Sequence, residues 1–191
     1  MYGLQIAFKN FSPALGIQGS PWVGLRYFEQ FFNSFYFWTA ISNTVVISLY
    51  EIVAAFPVPI ILALILNNIP SRKYKKTVQL VTYAPHFIST VVLVGLIHIM
   101  LSPTTGAVNK ILEALGAEAI FFMQEPRLFK TIYVFSGVWQ SMGYASIIYL
   151  AALSGVDPQL HEAAIVDGAT KLQRIWNIEI PTLVPTMLIL L

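Results

Sequence analysis

The chain contains no cysteine. That excludes disulfides, thiolate metal sites and a cysteine nucleophile, and leaves the redox compartment open. Charge is scarce as well. Asp, Glu, Lys and Arg make up 10% of the 191 residues, against about 25% in an ordinary soluble domain. The formal net charge is only +2, and no Lys/Arg-rich run is interleaved with aromatics, so nucleic acid is excluded as a partner. There is no Gly-x-x-x-x-Gly-Lys-Ser/Thr loop to cradle ATP, no His-Glu-x-x-His pair and no Gly-x-Ser-x-Gly elbow. His86, His98 and His161 are scattered. These absences argue against an enzyme, a metal site or any cofactor bound by this chain. What fills the composition is hydrophobic: 57% of residues, with a mean hydropathy of +0.70. Such a surface calls for a bilayer rather than water.

A spanning helix needs about 20 predominantly apolar residues. Three stretches qualify, at about 36–66, 78–101 and 128–153, and a fourth begins near Thr182 and runs to Leu191. Continuous apolar runs without two-residue alternation specify helices rather than barrel strands. The expected fold class is therefore all-α, a polytopic transmembrane helical bundle over residues 36–191. Residues 1–8 lack a basic leader and are closed by Lys9, so no cleavable signal peptide is expected. The odd start and the ten-residue last stretch suggest a chain truncated at both ends.

Orientation follows from the basic residues. Arg72, Lys73, Lys75 and Lys76 lie in the connection 67–77, which has no acid. The connection 102–127 holds Lys110 and Arg127 against Glu113, Glu118 and Glu125. The positive-inside rule puts 67–77 in the cytoplasm. Alternation then puts 1–35 and 102–127 outside and 154–181 in the cytoplasm. Residues 1–35, with Trp22, Tyr27, Phe28, Phe31, Phe32 and Phe35, read as an interfacial aromatic belt. In the outer connection, Val108, Ile111, Leu112 and Leu115 recur at helical spacing and Gly116 supplies a stop.

Residues 154–181 are the most informative. Asp157 can cap a helix with Pro158 at its first position. Gly168 stands where a left-handed residue would end that helix. Thr170 and Gln173 form a capping-box pattern opening a second short helix with Leu172, Ile175 and Trp176, and Pro181 marks the start of the next span. Glu162 beside the small Ala163 and Ala164 offers one acid on a surface another protein can approach closely. Such a loop reads as docking or as a plain surface loop with equal weight.

Glu162-Ala163-Ala164, then Gly168, then Ile178-Glu179-Ile180-Pro181 resembles the EAA signature of binding-protein-dependent ABC importer permeases. Residues 165–167 and 169–177 supply its intervals, and Ile180 replaces the usual leucine. Residues 19–24 (Gly-Ser-Pro-Trp-Val-Gly) and 83–89 (Tyr-Ala-Pro-His-Phe-Ile-Ser) carry a narrower likeness to the carbohydrate-uptake branch, nearest its oligosaccharide and polysaccharide importers. The resemblance implies a type I importer permease in a prokaryotic cytoplasmic membrane. It implies nucleotide-binding ATPase subunits that hold ATP and magnesium, a second permease subunit making a heterodimer, an extracytoplasmic solute-binding protein, and a sugar or oligosaccharide as cargo. By resemblance, Glu162, Ala163, Ala164, Asp167, Gly168, Ile178 and Pro181 belong to the ATPase-coupling region.

The polar residues inside the spans admit two readings each. Glu51 lies well inside the first span, where a charge costs on the order of 3 kcal/mol on insertion scales. It either lines a solute path or makes a helix-packing contact. Pro57 and Pro59 should kink that helix. Tyr83, His86 and Thr90 share a helical face around Pro85 and are the candidate pore lining, with interhelical hydrogen bonding as the equal alternative. Gly137, Ser141 and Ala145 form a small-residue stripe suited to close helix packing. An ion-coupled secondary transporter would also explain spans, prolines and Glu51, but not the signature spacing.

Overall fold

The computed structural model describes residues 2–191. Among the described residues every regular element is helical, apart from an isolated antiparallel bridge between Lys9 and Trp22. The chain divides into two compact units, Met1–Ser48 and Leu49–Leu191.

The first unit opens with a 3₁₀ turn, Tyr2–Phe8, followed by α1 (Gly16–Gly19), α2 (Arg26–Phe32) and the start of α3 (Tyr36–Ala55). The Asn10 amide donates to the Pro21 carbonyl at 2.9 Å, and that of Val23 to the Phe8 carbonyl at 2.9 Å. The Phe8 and Trp22 rings stack across this bridge with centroids 5.6 Å apart. The Lys9 ammonium donates to the Ile17 carbonyl at 2.8 Å, inside α1, where carbonyls at a helix end lack partners. The aromatics expected at a membrane interface form an edge-on cluster, with Phe37 5.1 Å from Phe32 and 5.2 Å from Phe31.

The second unit holds the end of α3, then α4 (Pro57–Asn67), α5 (Arg72–Tyr83), α6 (Thr90–Met100), α7 (Ala107–Ala114) and α8 (Pro126–Ser154). After them come α9 (Pro158–Val166), α10 (Lys171–Arg174) and α11 (Ile180–Leu190). Pro57 and Pro59 interrupt the backbone ladder at Phe56 without turning the chain back, and Tyr36–Asn67 counts as one apolar helix of 32 residues. Its core lies against α8. Ile60 and Ala63 of α4 pack with Tyr149 and Leu153 of α8, and Leu183 of α11 closes the seam; Leu66 is also fully buried. In the outer connection α7 ends at Gly116, with φ +84°. Buried Asn109 staples that connection: its amide donates to the Ser102 and Ile120 carbonyls at 3.1 and 3.0 Å, and its carbonyl accepts from the Ile120 amide at 2.8 Å.

Three features differ from the sequence expectation. The stretch 78–101 is not one helix: α5 with the 3₁₀ turn Ala84–Phe87 meets α6 at 101°. Pro85 has no amide to donate, and Ser89 caps a fresh helix by accepting from the Val92 amide at 3.3 Å. Secondly, by length and composition only Tyr36–Asn67 among the described residues can cross a membrane, or two segments if the bent pair is one span. α8, expected as the third span, has 29 residues, about 43 Å and long enough to cross a bilayer core, and is less apolar than Tyr36–Asn67. It is the helix on which α4, α5 and α11 pack, so it can carry Gln140, Ser146 and Gly143 inward. Thirdly, the close approach on α8 is not at the stripe 137, 141, 145. Gly137 faces open space, whereas a Cβ on Gly143 would collide with the backbone carbonyl of Thr82.

Gly143→Val should therefore separate α5 from α8 and destabilise the full-length protein by about 3 kcal/mol, the upper end of overpacking costs. Gly137→Val should be tolerated. Thermal unfolding in detergent measures both. Equal melting temperatures for the two variants would refute the contact.

Candidate functional site

The loop after α8 is built by its caps. The Asp157 carboxylate accepts from the Gln159 amide at 2.9 Å, and Pro158 occupies the first turn, where a missing donor costs nothing. The helix ends as Gly168 turns left-handed at φ +78°. There the Gly168 amide donates to the Ile165 carbonyl at 3.0 Å, and the Ala169 amide to the Ala164 carbonyl at 2.8 Å. This is a full Schellman closure. Thr170 and Gln173 then make a reciprocal capping box: the Thr170 amide donates to Gln173 Oε1 at 2.7 Å, and the Gln173 amide to Thr170 Oγ1 at 3.3 Å.

The second loop helix does not stop before the next span, as the sequence reading had it. α10 passes through a π turn, Ile175–Glu179, directly into α11. The Ile180 amide reaches back five residues to the Ile175 carbonyl. Pro181, one residue on, has no amide at all, and the wider turn accommodates it.

Along this loop Glu162, Ala163, Asp167, Gly168 and Pro181 are exposed, while Ala164 and Ile178 are half-buried. Nothing lies within 4 Å of where a Gly168 side chain would begin. Beside them Leu160, Ile165, Val166, Leu172 and Trp176 are also exposed, Val166 to 87%. Apolar surface rimmed by polar groups marks a face that another molecule covers.

One residue of the signature behaves differently. Glu179 is 2% exposed. Its Oε1 accepts from the side-chain amides of Asn67 at 3.2 Å and Asn68 at 3.1 Å, and its Oε2 from Asn68 at 3.0 Å. Asn67 ends α4 and Asn68 caps it, donating also to the Leu64 carbonyl at 3.0 Å. Leaving a buried acceptor of this kind unpaired costs about 1–3 kcal/mol. The contact also joins the end of the first long helix to the exit of the loop, so the two connections assigned to the cytoplasm meet at one end of the unit. An acid within the otherwise apolar Ile178–Ile180 run was a readable sign that a partner must exist. The asparagine pair gave no sign beyond a helix end.

The residues proposed for a solute path fall into two places. Tyr83 ends α5, and His86 sits on the 3₁₀ turn stacked flat on Tyr144 of α8, with centroids 4.0 Å apart and planes at 3°. His86 and Tyr144 are both exposed. Gln140 Nε2 donates to the Ile88 carbonyl at 2.7 Å and holds the bend open. Thr90 lies beyond the bend, in α6, so the shared face expected for Tyr83, His86 and Thr90 does not form. Tyr144 and Gln140 were not foreseen, because their partners lie on another helix. Glu51 is exposed on α3, without a hydrogen bond or ion pair among the described residues.

Comparison with known proteins matches residues 55–191 to the family described as "Binding-protein-dependent transport system inner membrane component". Over all 191 residues the chain is 40% identical to the polygalacturonan/rhamnogalacturonan transport system permease protein YteP of Bacillus subtilis (strain 168). It is 38% identical to the protein LplB of the same organism. It spans 60% of the length of each. Among solved structures it is similar to a bacterial ABC transporter involved in import of the acidic polysaccharide alginate, with TM-score 0.90 and 42% identity over 98% of this chain and 62% of that one. A second structure, of a bacterial alginate ABC transporter in complex with alginate pentasaccharide-bound periplasmic protein, aligns with TM-score 0.89 and 41% identity over 98% of this chain and 62% of that one. With the signature spacing, the helical architecture and these similarities in agreement, the chain belongs to the binding-protein-dependent transport system inner membrane components, the permeases of ABC importers.

Proposed function

We propose that this chain is part of the permease subunit of an ATP-binding-cassette importer. In this reading it passes a sugar or oligosaccharide from an extracytoplasmic binding protein to the cytoplasm by alternating access. The observation that carries the reading is the loop 157–181: the signature residues sit on two capped helices, presented outward around Gly168, at the end of the α4–α8–α11 seam. ATP and magnesium belong to separate ATPase subunits, and a second permease subunit completes the pathway. The cargo class is supported by the names of the similar proteins, which concern polygalacturonan, rhamnogalacturonan and alginate.

Mechanically, Glu162 offers a carboxylate to a basic group on the ATPase, and Ala163 and Ala164 let that surface approach the α9 backbone. Asp167 and Gly168 turn the chain so that Leu160, Val166, Leu172 and Trp176 lie beside the contact. Ile178 and Pro181 lead from it into α11. Closure of the ATPase pair would then displace the loop, and the loop would tilt the helices packed on it. The solute path is assigned to the bend. The flat His86–Tyr144 pair gives an aromatic face against which a sugar ring can lie; Tyr83 before the bend, Thr90 after it and Glu51 on α3 are proposed as separate contacts along the path. An ion-driven transporter would have no use for the exposed loop.

In the full-length subunit, Glu162→Lys should lower association with the ATPase at least about tenfold, a loss of about 1.4 kcal/mol. Gly168→Asn, which tolerates the left-handed backbone, should impair association nearly as much as Gly168→Val, because both fill the empty space. Co-purification and solute uptake measure this. Uptake driven by an ion gradient in proteoliposomes lacking any ATPase would overturn the reading.

His86→Ala and Tyr144→Ala should each raise the KM for uptake about two- to tenfold, the range of ring-contact energies, with ATPase association intact. Unchanged uptake kinetics in both variants would remove the ring pair from the path.

A further inference from the structure

Glu179 belongs to the signature by position, yet it is buried and turned away from the docking face. Its partners, Asn67 and Asn68, lie 112 and 111 residues away in sequence, at the end of α4. We infer that Glu179, Asn67 and Asn68 form the joint that makes α4 move as one body with the coupling loop, and that all three are positioning residues for transport. The inference rests on the coupling role proposed for the loop.

The loop has two covalent exits. One leads back through Gly155 to α8 and the other through Glu179 to α11. α4 has neither. It meets the rest of the seam through Ile60 and Ala63, and such contacts are non-directional. Apolar helices can slide on one another, by 1–2 Å or by a whole turn. Hydrogen bonds to both oxygens of one carboxyl group are directional and do not permit sliding. Glu179 sits at the last position of the π turn, immediately before α11, so any displacement of the loop is delivered at this point. Asn68 is in turn tied to its own helix through the Leu64 carbonyl, so a force on its amide is passed into α4 rather than absorbed by a loose side chain. The polarity of the joint is also specific: position 179 only accepts and positions 67 and 68 donate.

The test uses the full-length subunit assembled with its ATPase, with no cysteine other than those introduced. Spin labels are placed at Ile61→Cys on α4 and Gln159→Cys on α9, both exposed positions. Their separation is measured by pulsed electron resonance without nucleotide and after trapping with ATP and vanadate. With the joint intact, the two states should agree within about 2 Å, the size of ordinary helix shifts. In Glu179→Leu, which removes every acceptor of the joint, or in Asn68→Ala should that first variant fail to assemble, the distance should change between states by about 5 Å, one helical turn. A distance that changes with nucleotide in the unsubstituted protein, or a Glu179→Leu variant that behaves as the parent, overturns the joint. Glu162→Lys, scored for ATPase association in parallel, separates the two ideas: retained association refutes docking through α9 and leaves the distance result to judge the joint.

Discussion

The approach of α4 to α8 decides where everything else in the second unit can lie. Ile60 and Ala63 of α4 are buried against Tyr149 and Leu153 of α8, and Leu183 of α11 fills the third side. The alanine lets the two backbones come near, as small residues do in membrane helix packing. Because α8 and α11 both line this seam, the loop between them leaves and re-enters the bundle beside the end of α4. Asn67 and Asn68 thus arrive next to Glu179. The docking face, the buried carboxyl group and the turn into α11 all inherit their positions from it.

Local chemistry made much of this readable in advance. Asp157, Gly168 and the Thr170–Gln173 box each act on a backbone group a few residues away, so their effect is written in short-range spacing. The same holds for the α7 stop at Gly116. Residues whose role depends on another helix were not readable. Gly137, Ser141 and Ala145 had the spacing of a packing stripe, but spacing cannot say which face α5 lies on, and Gly143 is the residue it meets. Tyr83, His86 and Thr90 had helical spacing that Pro85 and Ser89 cancel. Glu179 needed a partner, and nothing in a linear reading links it to a pair of asparagines in the first connection.

α8 illustrates a further limit of composition. Hydropathy separates lipid-facing helices from the rest well, but a helix surrounded by other helices can bury serine, glycine and glutamine at little cost when their polar groups are paired. Ser146 is fully buried, with its hydroxyl donating to the Gly143 carbonyl at 2.6 Å. Gln140 is paired with Ile88. The lower apolarity of α8 comes from these paired residues on its packed faces; outward it carries Phe135, Trp139 and Ile148, as α3 carries Trp38.

The π turn between α10 and α11 has a geometric meaning. A π turn holds one residue more than an α turn, and one residue in an α-helix is about 100° of rotation about the axis. Ile175–Glu179 is therefore a phase shifter. It lets the loop keep Trp176 facing outward while α11 turns Leu183 and Met187 to the seam. Had the helix run on as regular α, one of those two faces would point the wrong way. The distance from Gly168 to Pro181 is thus a measure of angle as much as of length, and the added residue is what allows a single unbroken helix to serve two directions.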